Sequence, residues 1–233
     1  MSVADGVGSS KYSDIAAKMA VISTCEYIAQ KKVYTPDVIK DAFSHALDEI
    51  TKFAERHDND GTDYDTTLHT VLYDGTKIIF GHAGDGGIVG LAMDGSFVQL
   101  TKPQKGADAT SVMPLRAGPK HWEFGTSNQE FAGALLATDG VYDTFFPYLL
   151  RGQPVEAYVP LIKLFFEKSE TDIKQILESD TYKHVTDDMT VVVVKNKKAK
   201  AGRQPDEYYA QPDWDKLKED WKRKAYPHLY TEE

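Results

Sequence analysis

Four aspartates stand out because each lies at the end of a strand-like apolar run. Asp5 closes "SVAD", Asp85 closes "KIIFGHAGD", Asp139 closes "ALLATD", and Asp187 opens "DDMTVVVV". Asp-Gly occurs six times, at Asp5, Asp60, Asp74, Asp85, Asp94 and Asp139, and the dipeptide by itself denotes a turn. Asp74 and Asp94 fall midway between paired β-rich runs and are read as hairpin turns. Asp60 falls in the polar loop "RHDNDGTDYD". The strand-end aspartates are different, because neighbouring strand ends bring distant carboxylates together. Hard divalent cations such as Mg²⁺ and Mn²⁺ take oxygen ligands of this kind. Two such ions held close together lower the pKa of a water and brace an in-line attack on phosphorus.

Other chemistries find little support. Cys25 sits on an apolar helical face without the basic neighbours that favour a thiolate. Neither a G-x-S-x-G elbow nor a G-x-x-x-x-G-K-[ST] loop is present. "GHAGDGG" is glycine-rich but lacks dinucleotide-binding spacing. With one cysteine and scattered histidines, a structural zinc site is not indicated. His69 and His82 are read as ordinary sheet positions.

The elements that must position the aspartates follow from periodicity. Residues 11–32 place Ile15, Met19 and Ile22 at helical spacing, with Ser13 as the expected N-cap. Residues 36–57 repeat the pattern through Val38, Ala42, Ala46, Ile50 and Phe53. From "TTLHTVLY" to "SFVQLT" the chain reads as an antiparallel meander. Residues 102–130 are loop-rich. An apolar strand at 131–138 follows, then a helix in "PVEAYVPLIKLFFEKS" opened by Pro154, a polar helix near 171–179, and a buried strand in the Val run. These elements amount to one α+β domain over 1–195. Residues 196–233 form a linker and an amphipathic helix whose stripe is Trp214, Leu217, Trp221 and Ala225.

The chain has 233 residues, 41% hydrophobic and 27% charged, with a net charge of −9. The acidic balance argues against nucleic acid or an anionic membrane as partner. No apolar run reaches the ~20 residues of a membrane span, and no secretory leader is evident. The single Cys25 forms no internal disulfide, so a cytoplasmic location is expected.

In order along the chain, "VADGVGSSKYSDIAAKMAV", "TTLHTVLYDGTKIIFGHAGDGGIVGL", "LLATDGVYD" and "TDDMTVVVV" resemble the successive motifs of the protein phosphatase 2C family, closest to its compact bacterial members. The resemblance spans residues 2–194. It implies a sandwich of two antiparallel β-sheets flanked by helices, and hydrolysis of phosphoserine and phosphothreonine by a metal-activated water without a phosphoenzyme. It also implies Mn²⁺ or Mg²⁺ as cofactor and a phosphorylated protein as substrate. By position, Asp5 matches the aspartate shared by two metals, the Gly6 carbonyl matches a ligand of the second metal, and Asp139 and Asp187 match further ligands. Asp85 and Asp143, with Asp139, match the residues of a weaker third metal.

Departures from the family pattern are specific. Asp188 stands at an Asn position, Val7 at the position of a His in many eukaryotic members, and Gly86-Gly87 at the usual Ser-Arg. The family also has a segment before "VADG" that supplies one or two strands, a phosphate-binding Arg and an acidic residue. Its lack here implies an exposed sheet edge, to be covered by the C-terminal helix or by a partner chain. It leaves Lys11, Arg116 and Lys120 as basic candidates, each read as a solvated surface charge. The alternative function is an impaired phosphatase-like domain that binds metal or a partner.

Overall fold

The structure is a computed structural model that describes residues 1–106, 111–180 and 182–230. Its centre is a pair of four-stranded antiparallel sheets. The first has the order β1 (Ser2–Val3), β2 (Leu68–Tyr73), β3 (Ile78–Ala83), β6 (Glu123–Thr126); the second has β5 (Phe97–Gln99), β4 (Gly87–Ala92), β7 (Phe131–Ala137), β8 (Val191–Lys195). Helices α1 (Ser13–Ala29) and α2 (Pro36–Arg56) cover the first sheet. Helices α3 (Asp139–Phe145), α4 (Val159–Glu167) and α5 (Glu170–Leu177) lie over the second. The α+β sandwich flanked by helices is the architecture expected from the sequence.

Three apolar layers hold it together. Ala16, Ala20, Ile39, Phe43, Ala46 and Ile50 pack on Leu68 and Ala83 beneath the first helical pair. Val3, Val71, Ile78, Ile88, Ala134 and Leu136 fill the space between the sheets. Leu135 and Ala137 point the other way, into Val141, Phe145, Ile162 and Phe165. Strand β7 is therefore buried on both faces, which is why its sequence is apolar throughout rather than alternating.

Both Asp-Gly hairpins form as expected. Asp74 Oδ1 accepts from the backbone N–H of Thr76 and Lys77, and Asp94 Oδ1 from Ser96. Gly75 and Gly95 take φ of 106° and 88°, values that favour glycine.

Several local expectations are corrected. The first helix begins at Ser13, but Tyr12 holds the cap position and no side chain bonds the first turn. The fourth helix starts at Val159, with Pro160 rather than Pro154 in its first turn. That matches the preference of proline, whose missing N–H costs nothing there. The Val run forms β8, which among the described residues pairs with β7 alone and is a half-buried edge strand. "SVAD" contributes only the two-residue edge strand β1, with Ser2 opposite Thr70 and Val3 opposite His69.

The C-terminal segment runs to the second sheet, not to the β1 edge. Gly202 donates to the Met93 carbonyl, the Tyr209 hydroxyl to Gly95, and Phe97 N–H to the Tyr208 hydroxyl. Helix α6 (Trp214–Ala225) then begins with Trp214 packed edge-on against Tyr158, ring centroids 5.4 Å apart. The helix expected to cover the exposed sheet edge thus starts beside α4 instead, because this tether to the β4–β5 hairpin fixes where α6 begins.

Candidate metal centre

Asp5, Asp139 and Asp187 converge. One carboxylate oxygen from each lies within 4.8 Å of the others. They reach this point from three elements at one end of the sandwich: the chain leaving β1, the first residue of α3 after β7, and the loop entering β8.

Threonines fix the backbone around them. The Asp5 carbonyl accepts from Thr67 N–H and the Thr66 hydroxyl, both at 2.8 Å, while Asp5 N–H donates to the Thr67 hydroxyl. Thr138 ties the other two ligand segments. Its hydroxyl donates to the Asp188 carbonyl at 3.0 Å and accepts from Thr190 N–H at 3.0 Å. Gly140 permits this approach: a Cβ there would stand 2.7 Å from the Asp188 carbonyl oxygen. At Gly6 a Cβ would stand 2.7 Å from the Ser13 backbone, so that position too requires glycine.

The carboxylates raise one another's proton affinity. Asp5 is pushed up to about 7, first by loss of water contact and then by Asp139, Asp187 and Asp188. Asp139 is pushed up to about 6, by desolvation first and then by Asp85, Asp187 and Asp143. Oδ2 of Asp5 is buried with no hydrogen-bond partner among the described residues. An oxygen-only cluster that raises its own proton affinity and leaves a carboxylate oxygen unbonded suits a hard divalent cation.

The remaining expected residues sit around this cluster. Asp85 shares a cavity of about 540 Å³ with Asp5, Asp139 and Asp187, and desolvation raises its pKa. Asp143 lies on the α3 face one turn from Asp139 and pairs with Lys105 Nζ at 3.4 Å. Gly6 lines the same cavity as Asp85 and makes an isolated bridge to Thr66.

Arg116 is exposed, as expected of a surface charge, but it is paired and placed at the site. It lines the acidic cavity, and its guanidinium forks onto Asp65 with N···O distances of 2.7 and 2.8 Å. Asp65 and Lys105 were not singled out from sequence. Neither carries a motif, and only the folded loops bring them here. Lys11 lies over the Tyr12 ring and Lys120 is exposed.

Solved structures share the fold. The catalytic domain of the serine/threonine protein phosphatase PstP, solved with 2 manganese ions, matches with a TM-score of 0.62 at 19% identity, covering 82% of this chain and 85% of that one. PstP/Ppp of Mycobacterium tuberculosis matches with a TM-score of 0.62 at 18% identity, covering 82% and 86%. The serine/threonine phosphatase Stp1 of Staphylococcus aureus gives 0.59 at 13%, covering 83% and 82%. No curated protein matches the chain. The profile of the family described as "Protein phosphatase 2C" matches residues 1–181, so the three motif-bearing segments that carry Asp5, Asp85 and Asp139 all fall within it, and the chain belongs to the protein phosphatase 2C family.

Proposed function

We propose that the protein is a metal-dependent phosphoprotein phosphatase that hydrolyses phosphoserine and phosphothreonine esters. The observation that carries this reading is the convergence of Asp5, Asp139 and Asp187 around an unbonded Asp5 oxygen. In this reading these three carboxylates and the Gly6 carbonyl hold two Mn²⁺ or Mg²⁺ ions, and a weaker third belongs to Asp85 and Asp143 with Asp139. The manganese in the similar PstP domain supports the choice of ion. Bound there, divalent cations lower the pKa of water and neutralise phosphoryl charge.

The chain's own groups do the positioning. Asp5 and Asp139 must be deprotonated to act as ligands; burial and their neighbouring carboxylates raise both pKa values in the metal-free fold, and a bound cation would oppose that rise. Arg116 is the guanidinium that faces the cleft. Asp65 holds two of its nitrogens, which preorganises the remaining N–H groups toward a phosphoryl oxygen. No side chain is needed as nucleophile. The substrate in this reading is a phosphorylated protein. The net charge of −9 disfavours nucleic acid, and among the described residues no helix is long and apolar enough to cross a membrane. We assign the protein to the cytoplasm on its single cysteine.

Hydrolysis of p-nitrophenyl phosphate in Mn²⁺ tests the reading. Turnover is expected, and both EDTA and Asp139→Asn should abolish it. Turnover that survives either treatment would refute a metal-centred mechanism.

A further inference from the structure

Asp139 and Asp187 belong to two cavities at once. On one side they face the cleft with Asp5 and Arg116. On the other they line a groove of about 620 Å³ together with Pro147, Leu149, Leu161, Val185 and Trp214. Trp214 comes from outside the segment that the family profile matches, which ends at residue 181.

The indole is held rather than loose. Asp213 caps α6 by accepting from Lys216 N–H at 3.0 Å, which sets the helix start. Tyr158 packs edge-on against Trp214, and its hydroxyl donates to Gln211 three residues before it at 2.9 Å. The tail thus delivers a fixed, half-buried aromatic wall to a channel that opens beside the carboxylate cluster.

We propose that this groove receives the polypeptide flanking the phosphorylated residue, and that Trp214 selects a large apolar side chain there. The inference rests on the phosphatase reading above. Continuity names the occupant: a chain whose phosphate lies over Asp5, Asp139 and Asp187 leaves the cluster along one of its open sides, and this side is open. The chemistry of the walls agrees. The acidic end repels a second free anion, whereas the Trp, Leu, Val and Pro surfaces gain by excluding water from an aliphatic or aromatic side chain. The volume lies within the ~300–1,000 Å³ of cavities that bury organic groups.

The test uses the full chain with Mn²⁺. Its substrates are p-nitrophenyl phosphate and phosphoserine peptides of one sequence, with Leu replacing Ala at successive positions on either side of the phosphoserine. At one position Leu should raise kcat/KM about tenfold over Ala, the scale of a buried aliphatic side chain. Trp214→Ala should bring that Leu-to-Ala ratio close to one, and Trp214→Phe should retain most of it. Leu149→Ser, elsewhere in the lining of the groove, should lower the ratio without touching α6. A flat peptide series in the unaltered protein would overturn the proposal. So would a ratio that survives both Trp214→Ala and Leu149→Ser. If the unaltered protein hydrolyses neither substrate, the nitrophenyl phosphate arm reports failure of the phosphatase reading itself, and the groove assignment falls with it.

Discussion

His69 and His82 face each other across β2 and β3 with their Nδ1 atoms 2.8 Å apart, both rings buried. His82 Nε2 lies 3.0 Å from the Lys102 carbonyl, which only accepts, so this nitrogen carries the proton. In a neutral ring His82 Nδ1 is then the acceptor, and His69 Nδ1–H must donate to it. His69 Nε2 is left as an unprotonated nitrogen with no partner among the described residues. The two rings thus lock each other's tautomers directly behind the Asp85 turn.

This pair sets a pH dependence of stability. Burial holds His82 down to about 4 and His69 well below its ordinary value. Unfolded histidines titrate near about 6.5, so the unfolded chain binds protons that the folded chain refuses. The pair's contribution is therefore complete above that pH and is lost as pH falls from about 6.5 toward about 4. Over the same range the raised carboxylates Asp5 and Asp139 act in the opposite direction, so the pair is read by difference. In urea titrations at pH 7.5 and 5.5, His69→Gln/His82→Gln should gain stability at 5.5 relative to 7.5 when compared with the unaltered protein; an equal pH difference in both would place the acid sensitivity elsewhere.

Metal binding should carry the opposite sign at its own carboxylates. Asp5, pushed to about 7, and Asp139, pushed to about 6, hold protons in the metal-free fold that their unfolded forms have lost. Their burial is tolerated at low pH and costs stability as pH rises through these values. A cation removes that cost. Mn²⁺ should therefore raise Tm more at pH 8 than at pH 5.5, with protons released on binding near pH 6. Calorimetry in buffers of different ionisation enthalpy measures this release directly, and a pH-independent affinity with no release would contradict it.

Arg116 should matter to substrate rather than to the ions. Arg116→Ala removes a preorganised phosphate donor and should lower kcat/KM by roughly tenfold to a hundredfold, the scale of one lost charge-assisted contact. Arg116→Lys should recover little, since an ammonium cannot fork onto Asp65 and face the cleft together. Mn²⁺ affinity should stay within a few-fold. Unchanged kcat/KM in Arg116→Ala would return the residue to a structural ion pair.

Gly140 is a tight backbone approach in the centre, 2.7 Å from a Cβ at that position to the Asp188 carbonyl oxygen. Gly140→Ala would press a methyl group onto the Asp188 carbonyl and push away the loop that carries Asp187. A loss of roughly 1–3 kcal/mol is expected by overpacking, with weakened Mn²⁺ binding. Thermal melts and Mn²⁺ titration check both. Ordinary stability with unaltered affinity would mean that the loop has room to move.

The strand-end aspartates were legible because each lies at one end of an apolar run, and a run that must be buried fixes where its polar end emerges. The helices and hairpins were legible for similar reasons: their periodicity and Asp-Gly turns are local. Arg116 was not, because its approach to Asp65 joins loops 51 residues apart that share no pattern. Nor was the histidine pair, which depends on a register placing position 69 opposite 82. The direction of the C-terminal segment was misread. An amphipathic stripe shows that a helix has a face to bury, and it is silent on which surface receives it.

By itself, then, the sequence determined the elements, the family motifs and the carboxylates, all properties of residue type and short-range spacing. The tertiary structure alone decided that Asp5, Asp139 and Asp187 meet, that Asp65 holds Arg116, and that Trp214 lines a groove at the same centre. Those relationships are set by how two sheets stack and where loops cross between them. Packing of the whole chain determines that geometry, and no window of neighbouring residues contains it.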